Sequence, residues 1–94
     1  MTEQPNQQTV WIVTRIEARW PGGIFLTEQA ARDYIERHSI TGMLSEFPLG
    51  ESTYDHAVRL GLFHPKNDKE RSGWFIAEFS PRLPHYPFED GHEA

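Results

Sequence analysis

Residues 74–94 read "WFIAEFSPRLPHYPFEDGHEA", and how this stretch is divided decides the fold. Split after Ser80, it gives a final strand, "WFIAEF", and a tail, "PRLPHYPFEDGHEA". In the strand, alternation puts Phe75, Ala77 and Phe79 on one side and Trp74, Ile76 and Glu78 on the other. In the tail, Pro81, Pro84 and Pro87 are spaced as the turns of a polyproline II helix and form one ridge. Leu83, Tyr86 and Glu89 form a second ridge, and Arg82, His85 and Phe88 a third. The two P-x-x-P units, "PRLP" and "PHYP", could be read by a partner with an aromatic groove. Left bare, however, Leu83, Tyr86 and Phe88 would make an exposed apolar tail. The spacing therefore favours a strap, kept extended by its prolines, whose Tyr86 and Phe88 rings dock on the domain.

Upstream, "TVWIVTRIEA" (9–18) is rich in β-branched residues and predicts a strand whose far end turns toward solvent. Pro21 and Gly22–Gly23 in "RWPGG" break it, and "GIFL" returns as the second arm of a hairpin. Thr27 then caps a helix across "EQAARDYIERH", with Ala30, Ala31, Tyr34, Ile35 and His38 on one arc. Its outer side pairs Glu28 with Arg32 and Asp33 with Arg37 at helical i,i+4 spacing. "TGMLSEFPLG" (41–50) predicts a third strand that stops near Pro48. Ser52 and Asp55 start a second helix with a stripe of Tyr54, Ala57, Val58 and Gly61, leaving Leu60 off the stripe beside His56. The order β-β-α-β-α-β predicts an α+β fold, a two-layer sandwich of about four mainly antiparallel strands with two helices on one face and an extended C-terminal tail. Residues 1–8 are expected to be disordered, 9–80 to form a single domain, and 81–94 to pack on it.

The chain has 94 residues, a net charge of −5 and no cysteine. Disulfides, thiolate metal sites and cysteine nucleophiles are therefore excluded. A negative chain with scattered basic residues disfavours nucleic acid, and no run is long and apolar enough to span a membrane. A polar N-terminus without a signal-peptide pattern leads us to expect a cytoplasmic protein.

Candidate chemistry is sparse. Asp55 and His56 are adjacent on a helix and point about 100° apart, which rules out a dyad between them. His85, Glu89, Asp90 and His92 are acceptable donors for a divalent metal, yet they follow no compact metal motif, and solvated chain-end polarity explains them better. No catalytic residue, metal site or cofactor is expected. Trp20, at a turn that does not need a large aromatic, and Leu60 are candidate interface anchors, with His85, Tyr86 and Phe88 as the tail's own candidates.

The series "VWIV", "GGIF", "YIERH", "TGMLSEFPL", "YDHA", "GLFHP", "FIAEF" and "HYPFEDG", in this order over positions 10–91, resembles a family of small bacterial proteins classed as a domain of unknown function. The resemblance implies a compact stand-alone domain and assigns no site residue. The missing catalytic constellation, the negative charge, and Trp20 and Leu60 outside the core stripes point instead to a non-enzymatic protein-interaction domain, an immunity or regulatory protein that masks a basic partner surface. The alternatives are a small-molecule or metal-binding domain that uses the C-terminal tail, and a homo-oligomeric module, possible as a homodimer, that pairs edge strands.

Overall fold

A computed structural model describes residues 8–80 and 83–94. The expectation for residues 1–8 falls, Gln8 excepted, outside this range, as does the first proline ridge position, Pro81. The chain runs β1 (Thr9–Arg15), β2 (Gly23–Phe25), α1 (Glu28–Arg37), β3 (Gly42–Pro48), α2 (Thr53–Arg59), a 3-10 turn at Lys69–Arg71, α3 (Gly73–Ala77), β4 (His85–Glu89) and β5 (His92–Glu93). The strands form one antiparallel sheet in the order β2-β1-β3-β4-β5. The α+β class and the antiparallel sheet carrying helices are as the sequence indicates; the last third is assembled differently.

The first correction concerns "WFIAEF". Gly73–Ala77 is a short helix, started by Ser72, whose Oγ accepts the Phe75 N–H at 3.2 Å. Residues four apart share a side on a helix, and on a strand they share one too, so Phe75 and Phe79 fit either period. The helix wins because it gathers both rings around Tyr54 and Phe63, with ring centroids 4.8–6.2 Å apart. The Tyr54 ring sits in this cluster and its hydroxyl donates to the Glu70 carbonyl at 2.5 Å, which satisfies its polar end.

The second correction is the tail. It is no polyproline ridge laid over a finished sheet; residues 85–89 are a strand between β3 and β5. Tyr86 lies opposite Leu44 and Phe88 opposite Gly42, so both rings share the face that packs on α1. Phe88 is 6 % exposed and joins Trp11, Val13, Ala31, Ile35 and Leu44 in the main core, with Tyr86 packed against it. Pro87 is tolerated because its carbonyl accepts from Ala94 N–H, which places its missing N–H on the short β5 side rather than toward β3. Asp90 (φ 51°) and Gly91 (φ 87°) turn β4 into β5, the two positive φ values of a type I′ hairpin.

Helix α1 lies on β1 and β2 and begins as its sequence predicts, with Thr27 Oγ1 accepting the Ala30 N–H at 3.1 Å. Its middle is bolted to the C-terminal hairpin by Arg32. Arg32 pairs with Glu28 at 2.7 Å and with Glu93 at 2.8 Å, while its guanidinium lies 5.2 Å from the centroids of both the Tyr86 and Phe88 rings. Glu93 and then Glu28 hold the Arg32 charge above its ordinary range.

Candidate functional site

Alternation along the strands gives the sheet a second face, opposite α1. Val10, Ile12 and Thr14 of β1, Ile24 of β2 and Met43, Ser45 and Phe47 of β3 point there, and none carries a charge. Toward β3 the segment at Phe79–Ser80 and Leu83 overhangs this face. Toward β2 it lies open. Ile24 is 63 % exposed, Leu26 beyond it 71 %, and Ile16 and Trp20 of the β1–β2 connection 58 % and 74 %. These residues cannot reach the core, because α1 takes the other face and β2 is the sheet edge.

Among the described residues the edge is also unpaired along its backbone. The Leu49 N–H donates to Gln8 O and the Gly22 N–H to Val13 O, so even-numbered β1 residues bond toward β3 and odd-numbered ones toward β2. Ile24, paired with Ile12, therefore directs its own N–H and C=O outward.

A separate cleft of about 340 Å³ lies where β3 meets the end of α2. Helix α2 starts at Ser52, whose Oγ accepts the Asp55 N–H at 2.9 Å. It stops at Gly61 (φ 74°), where the Gly61 N–H reaches Val58 O and the Leu62 N–H reaches Ala57 O. This Schellman closure throws Leu60 and Leu62 outward as two cleft walls. Leu83 closes the far side, and Thr9, Glu46 and His56 supply its polar groups. Glu46 takes the Thr9 hydroxyl at 2.7 Å. Behind His56, Glu51 Oε1 lies 3.2 Å from Nδ1, and Arg59 grips Glu51 through Nε at 2.9 Å and Nη2 at 3.0 Å. Arg59 holds the Glu51 carboxyl below the ordinary carboxylate range, with His56 adding to it against partial desolvation.

The other residues singled out in the sequence are distributed over the fold. Trp20 stands exposed at the hairpin connection, and Leu60 lines the cleft. Phe88 and Tyr86 spend their rings on the core and on Arg32. His85 is exposed, its Nδ1 2.8 Å from Leu83 O. Glu89 and His92 face each other across β4 and β5 while Asp90 sits in the turn, and among the described residues no three His, Asp or Glu gather to hold a metal. Among the described residues, too, no helix is long and apolar enough to cross a membrane. Sequence reasoning missed Glu46, Glu51 and Ile24. Glu51, five residues before His56 and eight before Arg59, offers no helical spacing; only the cap at Ser52 brings it back over the helix.

The family described as Domain of unknown function (DUF7710) matches residues 10–94. The chain belongs to that family. The match runs from β1 through β5, so the C-terminal hairpin lies inside the family's domain. No curated protein and no solved structure matches the chain.

Proposed function

We propose that this domain is a protein-interaction module, without catalytic chemistry of its own, that docks its partner on the open corner of the sheet at β1 and β2. The observation that carries this reading is the grouping of Ile24, Leu26, Ile16 and Trp20, all more than half exposed, beside the part of the open sheet face built by β1, β2 and β3, which carries no charge. Large apolar side chains scattered singly are ordinary on a surface, but a group rimmed by charge is the composition of an interface centre. Glu17 and Arg19, exposed in the β1–β2 connection beside Ile16 and Trp20, supply that charge. The net charge of −5 favours a partner with a basic surround, which suits an immunity or regulatory protein that covers a basic surface.

A second reading has its own observation. The outward N–H and C=O of Ile24 suit pairing of β2 with β2 of a second copy about a two-fold axis, which would make the partner the chain itself. Light scattering separates the two by mass. For a different protein as partner, capture from native extract with the immobilised domain is compared with capture by Ile24→Lys and Trp20→Ala. An anchor aromatic or a buried aliphatic at an interface centre contributes about 2 kcal/mol or more, a loss of about thirtyfold in affinity. If both variants retain every specific partner and the parent mass is unchanged, the reading is wrong.

A further inference from the structure

We infer that the cleft between β3 and the end of α2 binds a small amphipathic cation, a protonated amine carried on an apolar body. Its volume, about 340 Å³, falls in the range of roughly 300–1,000 Å³ that small-molecule sites occupy. Leu60, Leu62, Leu83 and Pro48 supply apolar walls: the Schellman closure places Leu60 and Leu62, β3 holds Pro48, and Leu83 adjoins Pro84, whose carbonyl accepts the Glu46 N–H at 3.0 Å. That accounts for the body of the ligand.

The charge requirement comes from Glu46. Among the described residues this half-buried carboxylate receives one side-chain hydrogen bond, from Thr9, and joins no ion pair. A carboxylate held against apolar walls with a single neutral donor has unused acceptor capacity that a cation fills best. His56 points the same way. Its Nδ1 lies nearer to Glu51 (3.2 Å) than to Arg59 Nη2 (3.4 Å). A carboxylate can only accept, so Nδ1 carries the hydrogen and donates it to Glu51; Arg59 then has no lone pair to address there. In the neutral imidazole the other ring nitrogen then keeps its lone pair, the acceptor an ammonium N–H needs. Both polar groups thus offer acceptors, which suits an ammonium and repels a carboxylate ligand. None of the residues of the β1–β2 corner enters this inference, so the two can fail separately.

The test is amide-resolved NMR titration of the whole chain at pH 7 with three probes of one shape: phenethylammonium, 2-phenylethanol and 3-phenylpropionate. Phenethylammonium is expected to move the resonances of Glu46, His56, Leu60 and Leu62, and to bind about tenfold or more tightly than the alcohol, as a charge-assisted hydrogen bond provides. The propionate should bind least. Glu46→Gln keeps the shape and a hydrogen-bond acceptor for Thr9, and should erase the preference for ammonium over alcohol. Leu62→Ala, at an exposed position, should weaken both probes together. Equal binding of ammonium and alcohol, a preference that survives Glu46→Gln, stronger binding of the propionate, or no shift of these amides at about 10 mM ligand would each overturn the inference.

Discussion

Replacing Phe88 by alanine separates a strand that builds the core from a strap lying on it. In the structure the ring is 6 % exposed, clustered with Leu44, Ile35 and Ala31, and roofed by the Arg32 guanidinium at 5.2 Å. Truncation removes a buried aromatic and leaves a cavity between sheet and helix, which costs about 3–5 kcal/mol. The lost cation–π contact adds about 0.5–1 kcal/mol. Against a total stability of about 5–15 kcal/mol, that is a large share. At roughly 4–8 °C per kcal/mol for a domain of this size, the melting temperature should fall by more than about 12 °C. The assay is urea and thermal unfolding followed by circular dichroism, with His85→Ala as an exposed control on the same strand, expected within about 0.5 kcal/mol of the parent. A loss below about 1 kcal/mol for Phe88→Ala would refute the placement of β4 in the core.

Other outcomes follow from the same geometry. Arg32→Ala should cost about 1–2 kcal/mol, from two ring contacts and partly exposed ion pairs, and should speed amide exchange in residues 92–94 more than in β1. Gly61→Ala meets open space and should cost only the left-handed conformation, about 1–2 kcal/mol. Gly91→Ala should cost more, because its Cβ would press on Ser39 Cα at 3.1 Å and the end of α1, and urea midpoints rank the two. Because the folded-state value of Glu51 is depressed, its contribution is complete above the ordinary carboxylate value of about 4.3 and is lost as pH falls through the lower folded value. Stability measured from pH 6 to pH 2 should therefore decline less steeply in Glu51→Gln than in the parent.

The first half of the fold is readable because each element announces itself locally. Thr27 and Ser52 are caps, the α1 stripe has helical period, and Pro21–Gly23 closes a hairpin. The last third is harder because two periods compete. Phe75 and Phe79 satisfy strand and helix alike, and the four-ring cluster that decides between them is assembled from separate elements. In "HYPFE" the proline spacing of three suggests polyproline II, yet the pairing of Tyr86 with Phe88 has the strand period of two, and Asp90–Gly91 is a hairpin turn signal. Weighing those two features above the prolines would have found β4 and β5. The open sheet face was not legible, since an apolar residue reads the same whether a helix covers it or not. The cleft was legible only at Leu60, whose position off the α2 stripe marks it as a side chain the helix core does not use.

The proposed interaction surface is tested most directly by a photo-reactive phenylalanine placed at position 24, on the open sheet face, and at position 33, on the exposed side of α1. Illumination in native extract should yield a discrete adduct, to one partner or to a second copy of the chain, from position 24 and none from position 33. No adduct at position 24, or the same adducts from both positions, would contradict the account.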